Sequence, residues 1–175
     1  MLHMRMIVDG LIVVMIGAVA LSVMAHDQTE SRHQQRLDEV RQAMAEMHVK
    51  ARVHGSMDDV EATRHGFSIT LEEQWFRPRP PHNVLLSADR PWLDIAQDGD
   101  NAQHPKDPVA YGPEQAAFWY NPEYGIIRAR VAPQLSKSET LRLYNEVNLS
   151  ALREIPSAAP VADAKLAAGK ATDLH

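Results

Sequence analysis

None of the nine histidines of this chain stands in H-E-x-x-H or a comparable ligand spacing, and without any cysteine the thiolate zinc signatures and thiol nucleophiles are excluded. His26 and His33 would share a face of a continuous helix, a placement that surface histidines explain without a metal. No G-x-S-x-G elbow, phosphate loop or dinucleotide fingerprint occurs, and eight glycines leave little room for one. These residue types argue against an enzyme and imply no cofactor. One oxygen-rich cluster remains: Asp94, Asp98, Asp100 and Asn101 around Gly99 could in principle hold Ca²⁺. Its order does not follow the twelve-residue EF-hand loop, and Asp and Asn are also the ordinary residues of solvated turns, which is the preferred reading.

A second group of interest joins aromatic and basic residues. Phe118, Trp119 and Tyr120 lead into Asn121-Pro-Glu-Tyr-Gly125, and Ile-Ile-Arg-Ala-Arg-Val131 follows. Two β-favouring runs separated by a proline corner and a glycine that can take positive φ predict a hairpin with a four- or five-residue loop. Its second arm should put Ile127, Ala129 and Val131 on one side and Arg128 and Arg130 on the other, leaving one face to solvent or a partner. Arg77, Arg79, Trp119, Tyr120, Arg128 and Arg130 are therefore the candidate partner surface. Core packing of the aromatics and a solvated arginine face are the bland alternative, and the favoured one.

The elements that would carry these residues begin with a long helix. Residues 10–25 are uncharged, and residues 6–25, with Asp9 as their one charge, would extend about 30 Å as a helix, enough to cross a bilayer. A cleaved signal peptide is the alternative, with Arg5 as the charged start and Val23-Met-Ala25 as an acceptable cleavage site. Residues 27–54 contain no Gly or Pro, and Leu37, Val40, Met44, Met47 and Ala51 recur at steps of three and four, so the helix is expected to run on as an amphipathic rod until Gly55. Two heptads are few for a coiled coil, so the stripe should pack on the protein's own sheet.

Strands are expected over residues 67–71, extended by Trp75 and Phe76, and over 84–87 and 92–96. Residues 97–112 form a long polar loop, a length usually tied to function or mobility. Ser136 with Glu139 forms a capping box ahead of a C-terminal helical pattern containing Leu141, Tyr144 and Val147, although Leu141, Leu143, Val147 and Leu149 also fit strand alternation. The tail from residue 156, rich in Ala, lacks material for a core and is expected to be disordered. The organisation read from the chain is thus 1–25 membrane segment or signal anchor, 26–55 amphipathic helix, 56–155 a small β-rich domain with a C-terminal helix, and 156–175 tail. With 175 residues and a formal net charge of −5, it suits one modest domain and not a nucleic-acid binder.

The order of elements resembles the type IV pilin and type II secretion pseudopilin family. Asp9 followed by Gly-Leu-Ile-Val-Val-Met-Ile-Gly17 is similar to that family's acid-plus-apolar start, and Phe118-Trp-Tyr-Asn-Pro-Glu-Tyr-Gly125 is similar to an aromatic hairpin of some pilin-like chains. The resemblance implies an α+β fold, a long N-terminal helix, membrane-spanning and then amphipathic, on a small antiparallel sheet. It also implies a non-catalytic structural or accessory subunit of a filament or secretion assembly, anchored in the inner membrane with its C-terminal domain outside the cytoplasm. Partners would be the lipid bilayer and other pilin-like or membrane subunits, in a homo- or hetero-oligomer. Asp9 would pair with a neighbour's N-terminal amine, or with Arg5 one turn earlier, while Gly17 lies on the small-residue surface for helix packing. A soluble exported binding module beginning at His26 and a non-pilin single-pass scaffold are the competing readings.

Overall fold

The computed structural model describes residues 2–57, 60–97 and 99–156, with side chains from Gln28 onward except those of residues 58, 59 and 98. Helix α1 runs unbroken over Leu2–His54, followed by a short 3₁₀ turn (Glu73–Phe76), strands β1 (Leu93–Ile95), β2 (Phe118–Asn121) and β3 (Ile126–Ala129), and helix α2 (Lys137–Asn148). The architecture is α+β: a three-stranded sheet in the order β1-β2-β3, with α1 against β3 and α2. Among the described residues no helix is long and apolar enough to cross a membrane. The stretch expected to do so, residues 6–25, has side chains outside the described set, and the tail 157–175 lies outside it altogether.

The lower half of α1 meets the sheet as its periodicity demands. Leu37, Val40, Met47 and Ala51 are buried and share one core with Phe118, Tyr120, Ala129, Val131, Tyr144 and Val147, while Met44 packs at its edge. Burial of each large side chain contributes about 1.5–3 kcal/mol. Gly55 ends the helix for a different reason from the positive φ expected of a C-terminal glycine. A side chain there would run into the backbone of residues 66–68, 2.5 Å from the Ser68 nitrogen, because the returning chain crosses the helix end and Ser68 N–H donates to Ala51 C=O at 3.0 Å.

That crossing also explains why residues 67–71 form no strand. Ser68 makes a single bridge to Ala62, its N–H is taken by α1, and its carbonyl accepts the Tyr120 hydroxyl at 2.6 Å. Trp75 and Phe76 fall in the 3₁₀ turn. Residues 84–87 likewise join no ladder. Asn83 does that work through its side chain, donating to Ala117 C=O (3.1 Å) and Arg130 C=O (2.9 Å) while accepting from Leu85 N–H.

The hairpin forms as expected, with Phe118 opposite Ala129, Asn121 opposite Ile126, and Gly125 at φ 64°. The sheet, however, is mixed and not antiparallel: β1 pairs parallel with β2, Leu93 beside Phe118 and Ile95 beside Tyr120. Parallel neighbours need a crossover of a dozen or more residues, and the long polar loop supplies it. Helix α2 starts on the capping box, the Ser136 hydroxyl accepting from Glu139 N–H at 3.1 Å. It buries Thr140, Leu143, Tyr144, Val147 and Asn148, which settles helix over strand.

Candidate assembly site and partner surface

Arg5, Asp9 and Gly17 all lie on α1, and Arg5 and Asp9 are one turn apart. Their side chains are outside the described residues, so the backbone places the assembly candidates on one rod and goes no further.

The candidate partner surface divides. All four residues of β2 are buried, including Trp119 and Tyr120, which therefore cannot present a stacking face. Tyr120 and Phe118 belong to the core beneath α1, and burial pushes the Tyr120 hydroxyl well above its ordinary pKa. Arg130 is only 5% exposed, a correction to the solvated arginine face. It pairs with Asp94 at 2.7 Å and donates to Asp107 C=O (2.7 Å) and Ala116 C=O (3.2 Å). Half-buried Arg128 donates to Gln103 C=O (3.0 Å) and Asn148 C=O (3.1 Å). The reason is topological: the crossover loop returns over the arginine face of β3, and its carbonyls need donors.

Arg77 and Arg79 stay exposed. Arg79 lines an open groove of about 940 Å³ between the proline-rich segment and α1, with Glu39 and Glu46 on the helix wall and Trp92 and Leu93 at the sheet side. Arg90 holds one wall of this groove in place by bonds to the carbonyls of Ser87 and Gln115, both 3.1 Å. The groove thus sets the exposed Arg79 guanidinium and three carboxylates, those of Glu39, Glu46 and Glu73, around apolar side chains.

The oxygen cluster is engaged by the protein itself. Asp94 is tied to Arg130, Asp100 accepts from Ala102 N–H at 2.8 Å, and Asn101 accepts from the Tyr124 hydroxyl at 2.9 Å. Asp98 lies outside the described residues. Among the described residues no group of three or more His, Asp or Glu could hold a metal ion, and the three described members act as turn and anchor residues.

Polar residues that sequence reasoning passed over organise this side of the fold. Asn121 donates to the carbonyls of Asp100 (2.7 Å) and Ala102 (2.9 Å). Asn148 satisfies the free edge of β3, accepting from Ala129 N–H (2.8 Å) and donating to Ala129 C=O (2.9 Å). His104 Nδ1 lies 3.0 Å from the Tyr144 hydroxyl. Burial lowers the pKa of His104, and nearby Arg128 lowers it further. Burial raises that of Tyr144, with Arg128 and Arg130 pulling the other way. A lone Asn or His in a polar stretch gives no sequence signal for such roles.

The chain matches no family model, no curated protein and no solved structure.

Proposed function

We propose that this protein is a membrane-anchored, pilin-like structural or accessory subunit of a filament or secretion assembly, without catalytic activity of its own. The observation that carries the reading is the single helix Leu2–His54, which joins the apolar N-terminal sequence to a rod whose Leu37, Val40, Met47 and Ala51 stripe is buried on the domain. A helix built this way couples the folded domain rigidly to whatever surrounds its first 25 residues. In lipid, the Val, Ile, Ala and Gly surface of residues 12–25 would pack closely against neighbouring helices, and Asp9 would set register by pairing with a cation.

The test is incorporation of Asp9 variants into the membrane-associated assembly. Loss of a partner from a buried charge pair costs about 3–5 kcal/mol, so Asp9→Ala and Asp9→Asn should both reduce incorporation by well over an order of magnitude while thermal unfolding of the domain is unchanged. Equal incorporation of all three proteins overturns the charge-pair role. Intact-mass measurement on membrane and soluble fractions separates the alternatives: a mature chain starting at His26 would instead identify an exported soluble module.

A further inference from the structure

We propose that His104 and Tyr144 form an acid-sensitive latch that fastens the 99–112 part of the crossover loop to α2 and releases its middle when the imidazole takes up a proton. This inference concerns the domain alone and does not depend on the pilin-like reading.

Among the described residues the loop forms no ladder along 99–108 and is fastened by side chains at separate points. Asn121 holds the carbonyls of Asp100 and Ala102, Arg128 that of Gln103, and Arg130 that of Asp107, and the Tyr124 hydroxyl donates to the Asn101 amide oxygen. Those contacts use amide, guanidinium and phenol donors. The contact of His104 with Tyr144 uses an imidazole.

Tyr144 is fully buried, and its hydroxyl has His104 as its hydrogen-bond partner among the described residues. With the phenol protonated, the O–H donates to Nδ1 of a neutral imidazole, leaving Nε2 to carry the ring proton. A second proton on the ring puts a donor on Nδ1. The phenol must then turn its own hydrogen away into buried surroundings, or the contact breaks. The groups facing the ring from the packed elements offer no relief. From β3 comes the Arg128 guanidinium, a like charge, and from α2 the neutral Tyr144 phenol. On its own loop Lys106 and Asp107 follow in sequence, and among the described residues no carboxylate is bonded to the ring. Protonation therefore favours the ring swinging out.

What would be uncovered is defined by the neighbouring anchors. Pro105, next in the chain, is fully buried and lies between the carbonyls held by Arg128 and Arg130. Opening is confined to about that interval, exposing Pro105 and the Tyr144 edge of the core. The sign follows from the lowered imidazole pKa: the open loop binds the proton more readily, so latch stability is fully present above the ordinary histidine value of about 6.5 and is lost as pH falls below it.

Backbone amide NMR of the full chain in detergent micelles, compared at pH 7.5 and pH 5.0, tests the latch. In the native sequence, the resonances of residues 103–107 should shift together on going to pH 5.0, while those of β2 and β3 stay in place. His104→Asn, whose amide oxygen can accept from Tyr144 at either pH, should abolish that response and keep the loop closed. Tyr144→Phe should give the open-loop shifts at both. An unchanged native loop at pH 5.0 overturns the latch. So does an undiminished acid response in His104→Asn, which would assign the effect to another group.

Discussion

The two faces of the small sheet are covered by opposite strategies. On one, α1 lays down a regular apolar stripe, Leu37, Val40, Met47 and Ala51, against Phe118, Tyr120 and Ala129. On the other, an irregular loop is gripped through its carbonyls by Asn121, Arg128 and Arg130. Apolar burial tolerates sliding, because its free energy follows area and has little direction. Side-chain donors tolerate none, since each carbonyl left buried without a donor costs about 1–3 kcal/mol. The comparison teaches that a segment without secondary structure can be positioned as definitely as a helix, provided that donors come from a rigid neighbour, here the hairpin.

Three substitutions would break or sharpen that contrast. Met47→Ala, in the centre of the apolar face, should cost about 2–5 kcal/mol through lost burial and a residual cavity, read as a lower midpoint in chemical denaturation with an unchanged slope. Arg130→Met tests whether the polar face matters comparably. It strands the carbonyls of Asp107 and Ala116 and should cost about 2–3 kcal/mol, with Asp94 adding little because its carboxylate is half exposed. A cost near zero would show that the loop is held by shape alone. Leu149→Gly has the smallest effect and the opposite sign. Leu149 closes α2 at φ 47° with its side chain 79% exposed, a left-handed position that glycine occupies without penalty. A gain of about 0.5–1 kcal/mol, seen as a small rise in Tm, is expected.

The parts of the fold that could be read from residues share a repeating local signal. The α1 stripe, the Asn121–Gly125 corner and the Ser136–Glu139 capping box each declare themselves within a few residues, since one local geometry satisfies the residues involved. Residues 67–71 carried a strand pattern too, but at their centre the Ser68 N–H and carbonyl were claimed by Ala51 and Tyr120, far away in sequence. Alternation in β3 placed Arg128 and Arg130 opposite the core correctly, yet could not reveal that the loop covers them. Of the candidate partner-surface residues Arg77 and Arg79 are exposed and Arg128 half-buried, with Arg79 in the groove beside Glu39 and Glu46. The oxygen cluster likewise lost its independence once Asp94 met Arg130.

By itself the sequence determined the helical rod with its inward stripe, the hairpin and the start of α2, because hydrophobic period, turn chemistry and capping act over a few residues. Tertiary structure alone decided that β1 runs parallel to β2, that Gly55 is needed for a backbone crossing, and that Asn83, Asn121, Asn148 and Arg130 serve as buried donors. Those outcomes depend on which carbonyls are brought within about 3 Å of a side chain by distant segments, and hydrogen-bond partners so far apart along the chain leave no periodicity to read.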